Sequence, residues 1–546
     1  MTVFARRETR LLLARRASMA GGLLAATLVL SALATAQRPA GQSGAPRGSR
    51  FIATDDWMAD AIARLRGRGY LASLNPLTQP WERSEVGRAL DGIPATSLDT
   101  MPRQVAQWIR VLRSELGPEL QRQAGRDTIG VGFVAWSGGV AATSPRIDPL
   151  FPLRKGTAPP NGRPRNGPSV WPIGGAGGWA ERGPFAVELR VGWDLAARRA
   201  DPDGRLPGRI FDVLPDNEVS YVSGRFDDGG FVVGRLRRNW APIGTKGLMV
   251  SDAAIGIPQI GYDVGGRNLV LRGFVAELDT VQGRERYFAA HRIEYLRDNF
   301  AISIGESKVY GSSGGPRITN LNPIEVFFVT GDKLGGEQPT NTALDGQFWL
   351  RRGRLTLAGE TLVDDVWVDS SAPLRSAISA TARYMGPAEW LELGLDYRAV
   401  LSFTYWTPTE GHQNIDHMTF NGRGLGDNFS DYDRWTLLAN MYPAVAGLRL
   451  TPTVARQRKG EWDFRQPGIP AAVWQQKSSF LQGITEATTR LALAGRYQPT
   501  RRGFAEWDAG LNIVSNADHI TGRSVTEFSA MLRIGVTWSA PDRRAP

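Results

Sequence analysis

Few residues in this chain are equipped for chemistry. There are four histidines, His291, His412, His417 and His519, and no cysteine, which excludes disulfides and thiolate metal centres. His412 and His417 flank Asp416, but an i, i+5 spacing puts no two ligands on one helical face, so no metal site is expected there. A Gly-x-Ser-x-Gly elbow, a His-Glu-x-x-His pair and a phosphate loop are all absent from the sequence. Gly422-Arg423-Gly424-Leu425-Gly426 resembles a phosphate cradle only in outline. It follows no buried parallel strand and reads as an external loop. The expectation is a protein without catalytic residues and without a cofactor.

Two other groups of residues carry chemistry of a gentler kind. Aromatic rings beside Arg and Asn in exposed loops suit sugars, because sugar C–H faces stack on rings while hydroxyls take planar hydrogen bonds. Arg237-Arg238-Asn239-Trp240, Trp367 and Tyr405-Trp406 fit that description, although each tryptophan also suits a membrane-interface girdle. The second group is a charge ladder. Glu188, Arg190 and Asp194 share one parity of Phe185–Leu195, while Phe185, Val187, Leu189, Val191, Trp193 and Leu195 share the other. Side chains alternate faces along a strand, so this ribbon has one apolar and one charged face.

The same pattern returns. Glu392, Asp396 and Arg398 alternate with Leu391, Leu393, Leu395 and Tyr397. Arg490 and Arg496 alternate with Leu491, Leu493 and Tyr497, and Arg533 lies opposite in parity to Phe528, Leu532, Ile534, Val536 and Trp538. Glu506 and Asp508 belong to the same inner set. Strands of about 9–11 residues are long enough to cross a bilayer when tilted. A charge at the lipid midplane costs about 2–4 kcal/mol, so the charged parity must line a lumen.

The elements that would position these residues follow in order. Arg6, Arg7, Arg10, Arg15 and Arg16 precede an apolar run, and Ala34-Thr35-Ala36 reads as a cleavage site, so residues 1–36 are expected to be a signal peptide. A flexible lead, 37–50, comes next. From 51 to 126 the period is helical, with Trp57, Ala61, Ile62 and Leu65 forming one stripe and Val105, Trp108, Ile109 and Leu112 another. Helices are expected near 57–65, 83–90 and 102–116. Residues 57–86 also resemble one S-layer-homology repeat, an alternative that implies wall-glycan binding.

From 127 to 540 the period is two. Strands are expected at 128–138, 173–181, 184–195, 216–226, 230–239, 256–264, 267–279, 285–296 and 299–310. Nine more follow at 343–352, 354–363, 376–385, 389–405, 432–442, 446–458, 484–498, 503–515 and 524–538. Tight turns alternate with long loops near 196–215, 240–255, 311–342, 364–375, 406–431 and 459–483, as outer-membrane barrels require. With 63 glycines, 17 tryptophans and a net charge of +11, the composition suits a large barrel beside anionic neighbours such as lipopolysaccharide or an acidic glycan. Nucleic acid is not an expected partner of an exported chain.

Several diffuse stretches resemble the capsule-assembly outer-membrane proteins of the Wzi type. They are Pro80-Trp81, Arg235-x-x-Arg238-Asn239-Trp240-Ala241-Pro242, Leu248–Asp252, Tyr287–Tyr295, Gly305–Gly311, Leu321-Asn322-Pro323, Asn341–Gly346 and Val363-Asp364-Asp365. Trp240-Ala241-Pro242 stands where members tend to have Trp-Gly-Pro. The resemblance implies an 18-stranded barrel with a helical bundle on the periplasmic side, acting as a lectin that holds surface polysaccharide. Expected partners are that polysaccharide, outer-membrane lipid and the barrel-assembly machinery during biogenesis. A porin or sugar-selective channel with a wall-binding N-terminal module is the alternative.

Overall fold

The computed structural model describes residues 48–54, 56–123, 129–143, 169–194, 215–252, 256–266, 268–312, 315–322, 325–327, 340–364, 374–386, 388–406, 415–420, 423–443, 445, 447–462, 464, 480–498 and 502–539. All belong to one compact unit, Pro46–Pro546. The expected signal peptide, Trp367, His412 and most of the long loops lie outside the described residues.

Eighteen antiparallel strands form one closed sheet. They are β1 (Gly130–Ala142), β2 (Ser169–Arg182), β3 (Phe185–Asp194), β4 (Pro215–Phe226), β5 (Gly229–Leu236), β6 (Ile257–Gly265), β7 (Leu269–Glu277), β8 (Glu285–Leu296) and β9 (Phe300–Ser312). The ring continues with β10 (Thr340–Arg352), β11 (Leu355–Asp364), β12 (Ser376–Met385) and β13 (Leu391–Val400). A small hairpin, β14 (Thr419–Phe420) and β15 (Arg423–Gly424), stands outside it. Then come β16 (Tyr432–Met441), β17 (Leu448–Lys459), β18 (Glu486–Tyr497), β19 (Gly503–Ser515) and β20 (Ser524–Ser539). β20 pairs back onto β1, from Val134↔Ser539 to Ala142↔Met531, so no strand edge is left open.

All eighteen expected strands are present, with shifted ends. The expected 389–405 strand stops at Val400, because Leu401–Trp406 leave the wall and turn into the barrel. The β14–β15 hairpin was not expected at all.

Side-chain alternation sets the two faces of the wall. Leu189, Leu437, Leu493, Phe528 and Ile534 are exposed on the outside, with Leu437 and Phe528 at 58%. The charged parity, Glu188, Glu392, Arg398 and Arg490 among it, is buried within. An apolar outer surface running round the sheet is unsustainable in water and suited to lipid. Tight turns, Gly183-Pro184, Asp227-Asp228, Arg297–Asn299 and Gly353-Arg354, all fall on one rim. The strand ends that the long connections join, Ala142 and Ser169, Asp194 and Pro215, Leu236 and Ile257, Ser312 and Thr340, Val400 and Tyr432, Lys459 and Glu486, lie on the other.

Four helices cover the tight-turn rim: α1 (Trp57–Gly67), α2 (Arg83–Asp91), α3 (Arg103–Glu115) and α4 (Gly117–Gln123). Asp56 caps α1 by accepting from Met58 N at 2.8 Å. Their apolar stripes meet in a core containing Ile62, Leu65, Trp81, Val86, Leu90, Ile109 and Leu112. The bundle is tied to the rim at several points. Arg66 Nη1 donates to Asp298 O at 2.7 Å, Gln104 Nε2 to Tyr442 O at 2.7 Å, and Arg225 Nη2 meets Glu82 at 2.6 Å.

One patch of the outer wall is covered. His291 and Glu306 face outward on β8 and β9 and pair at 2.9 Å. Phe327, from the β9–β10 connection, lies over them, its N donating to Glu306 Oε1 at 2.9 Å and its ring 4.5 Å from His291. Lys308 sits beneath the same ring. This roof keeps polar side chains on an outward face away from lipid.

Candidate functional site

Inside the barrel, two insertions from opposite rims meet. From the helical bundle, the segment 75–80 rises along β8, where Asn75 Nδ2 and Thr78 Oγ1 donate to the two oxygens of Glu294 at 2.6 and 2.5 Å. From the long-loop rim, residues 237–252 fold downward and inward. Gln79 and Asn239 exchange backbone hydrogen bonds at 2.9 and 3.0 Å, and Ile243 N donates to Pro76 O at 2.8 Å. The insertions thus join end to end within the lumen.

The expected sugar-stacking residues form the stem of the upper insertion. Trp240 has no exposed surface; its ring meets Phe274 edge-on at 5.1 Å and lies 4.6 Å from the Arg292 guanidinium. Arg238 donates to Gln259 and lies over Phe274, and Arg237 lines a small cavity with Val250, Phe288 and Leu425. Asn239 holds its own loop, donating to Thr245 O at 2.8 Å and accepting from Gly247 N at 2.9 Å. Tyr405 and Trp406, 1% and 5% exposed, enter the same apolar core as Trp240, together with Leu248, Met418, Phe420 and Phe464. Tyr405 donates its hydroxyl to Leu248 O at 2.7 Å; burial and the neighbouring Asp427 push that phenol well above its ordinary value. The expectation that these rings stand in exposed loops is therefore corrected. Period and composition mark an aromatic as suited to an interface, but do not say which way its loop folds.

The charged inner parity divides in two. Toward β10–β13 it serves the insertions. Arg398 pairs with Asp427 and donates to the carbonyls of Lys246 and Gly247, and Glu360 accepts from Leu248 N at 2.6 Å. Gln347 Nε2 reaches Trp240 O at 2.7 Å. Elsewhere, on β3–β4, β12–β16 and β18–β20, the inner side chains pair with one another within the wall. Glu188 bonds Tyr221 and Arg190, both at 2.7 Å, and Asp396 takes Thr381 and Arg383 at 2.6 and 2.7 Å. Glu392 accepts from Asn440 Nδ2 at 2.8 Å. Arg490 meets Asp508, and Glu506 lies between Arg496 at 2.7 Å and Arg533 at 3.8 Å. Asp194 lies on β3, but its side chain is outside the described set.

Gln347, Glu360 and Asp427 are the functional positions that sequence reasoning missed. The alternation Asn341, Ala343, Asp345, Gln347 against Thr342, Leu344, Gly346, Phe348 was available in the sequence to reveal the β10 members. Among the described residues no group of three or more His, Cys, Asp or Glu is arranged to hold a metal.

Fold and site together define a transmembrane β-barrel whose lumen is occupied by its own chain from both ends. No protein-family model and no curated protein matches the sequence. Among solved structures the chain is similar to Wzi of Escherichia coli, an outer-membrane protein involved in group 1 capsule assembly and described as a carbohydrate-binding β-barrel. The match has 12% identity and a TM-score of 0.58, over 89% of this chain and 99% of that one. OccAB3 of Acinetobacter baumannii matches at 11% identity and a TM-score of 0.41, over 76% of this chain and 99% of its own. OccD3 of Pseudomonas aeruginosa does so at 11% and 0.43, over 75% and 91%. At these identities the likeness is one of fold.

Proposed function

We propose that this protein is an outer-membrane barrel that binds surface polysaccharide without catalysis and helps to assemble or retain it at the cell surface. The observation that carries the reading is the joined pair of insertions, Gln79 against Asn239, inside the lumen. A channel gains nothing from an apolar core built across its bore, whereas a binding protein needs a rigid base for its long loops. One of those loops is strongly basic: 143–168 holds Arg146, Arg154, Lys155, Arg163 and Arg165 against Asp148 alone. An acidic glycan is the partner that charge favours. Tight turns on the helix-covered rim favour a periplasmic side for that rim, and the likeness in fold to a carbohydrate-binding barrel supports the reading. Lipid and lipopolysaccharide contact the outer wall.

A sugar-selective channel is the second reading, favoured by the paired charge ladders along β18–β20. Planar-bilayer recording separates the two. The binding reading expects no large steady current from the wild-type protein, and retention of surface polysaccharide lost from a deletion strain. Sustained open-channel conductance with undisturbed polysaccharide would sink it.

A further inference from the structure

On the helix-covered rim, five arginines stand together without a carboxylate partner. Elsewhere the wall pairs its arginines closely: Arg225 with Glu82, Arg272 with Glu294, Arg383 with Asp396 and Arg496 with Glu506, at 2.6 to 3.0 Å. Around the turns that join β8 to β9 and β10 to β11 the partners are neutral. Arg351 lies against the Asn299 amide and donates to Gly353 O at 3.3 Å, and Arg297 donates to Tyr295 Oη at 2.7 Å. Arg68, just past α1, donates to Glu389 O at 2.7 Å. Arg352 and Arg354 are exposed, with no partner among the described residues. The turn tips touch: Arg351 N donates to Asn299 O at 2.8 Å, and Met385 N to Arg354 O at 2.9 Å. Asp298 and Glu389 are the carboxylates that these turns carry.

A second observation says what kind of anion fits. Arg352 shares the outward parity of the exposed Phe348 and Leu350, and stands about 7 Å beyond Leu350 along the strand. Phe300 pairs with Leu350, and Tyr384 with Leu355, all four exposed on the outer face; Tyr295 is exposed beside them. Tyrosines at the end of an apolar belt mark the membrane interface, where long cationic side chains reach the headgroups. A soluble acidic partner has no use for an arginine beside lipid chains, whereas a phosphate in the same leaflet does. Like charges are crowded here: burial and the neighbouring Arg351 lower the Arg66 guanidinium to about 10. The rim is not uniformly basic, since the β4–β5 turn carries Asp227 and Asp228.

We propose that these turns hold an anionic phospholipid of the inner leaflet, its phosphate among Arg297, Arg352 and Arg354 and its chains along Leu350 and Phe300. Because α1 is seated on the same turns through Arg66 and Arg68, the headgroup also steadies the helical bundle. The proposal rests on this rim facing the periplasm and is independent of polysaccharide binding.

The full chain, delipidated in detergent, is titrated with phosphatidylglycerol, phosphatidylcholine or lipid A. Native mass spectrometry counts bound lipid, and tryptophan fluorescence follows melting. Phosphatidylglycerol is expected to be retained and to raise Tm, and phosphatidylcholine is not. Salt at about 0.5 M should weaken the binding. R352Q/R354Q should lower affinity about thirtyfold, and R352K/R354K should keep most of it. R456Q, which removes an exposed arginine of β17 near the opposite rim, should leave it unchanged. Equal retention of phosphatidylcholine, affinity undiminished in R352Q/R354Q, or equal loss in the lysine and glutamine variants overturns the proposal. A preference for lipid A that R352Q/R354Q abolishes also overturns it, by placing this rim in the outer leaflet.

Discussion

Replacing Trp240 by phenylalanine should cost less than about 1.5 kcal/mol, whereas replacing it by alanine should cost about 3–5 kcal/mol. The indole N–H has no partner, so what the residue supplies is volume against Phe274 and Arg292. Denaturant melts in detergent measure both variants, and glycan binding should persist in W240F; its loss at unchanged stability would return Trp240 to the binding surface. Arg398→Ala acts differently. It leaves Asp427 buried and unpaired and frees the carbonyls of Lys246 and Gly247, a loss of about 3–5 kcal/mol. Current bursts should appear in R398A and not in the wild type. At this scale the sequence was legible in parity but not in partnership. That Arg398 faces inward follows from Leu393, Leu395 and Tyr397 facing out, but its partner comes from a loop twenty-nine residues further on. No strand period reports that.

At the scale of elements, the docking of the helical bundle is the step most open to pH. Asp60, on α1, meets Arg449 of β17 at 2.9 Å and Arg64 at 2.7 Å. Enclosure alone would raise the carboxyl, but Arg449 and Arg64 outweigh it and hold Asp60 below its ordinary value. A depressed carboxylate adds stability above its unfolded pKa of about 3.9, and that stability is lost as pH falls through the lower folded value. Both partners are about one-third exposed, so the pair is worth at most about 1 kcal/mol. Glu85, on α2, works the other way, since burial raises it and its ionisation costs stability as pH rises. Protease cutting within 48–123 should increase as pH drops below about 4, and D60N should raise cutting at pH 7 while flattening the pH response. An unchanged pH response in D60N would assign the effect to other groups. The helices were legible from their stripes and caps, as was the alternation of short and long connections. The inward turn of 237–252, and of the described residues between 401 and 431, was not. An insertion buries apolar residues at irregular spacing, which in one dimension looks the same as an external loop with aromatic tips.

For the whole molecule, the decisive property is that one sheet separates two unlike media. The outer wall meets lipid through Leu189, Leu437, Leu493 and their neighbours, and the inner wall meets a polar and partly apolar interior that the chain itself supplies. Neighbouring positions on one strand should therefore respond oppositely to the same substitution. Leu437 on β16 is 58% exposed and faces outward, so Leu437→Arg sets a charge in lipid at a cost of about 2–4 kcal/mol. Thr436, one residue earlier, faces inward directly across from Asp396, so an arginine there gains a carboxylate partner. Unboiled electrophoresis of refolded protein reads the difference, because a folded barrel migrates apart from its unfolded chain. T436R should keep the folded band at wild-type intensity while L437R loses much of it in bilayers, and the gap should narrow in short-chain detergent micelles, which deform around a charge. Equal loss in both variants, or a gap indifferent to the lipid, would mean that the apolar belt of β16 is covered by protein rather than by membrane.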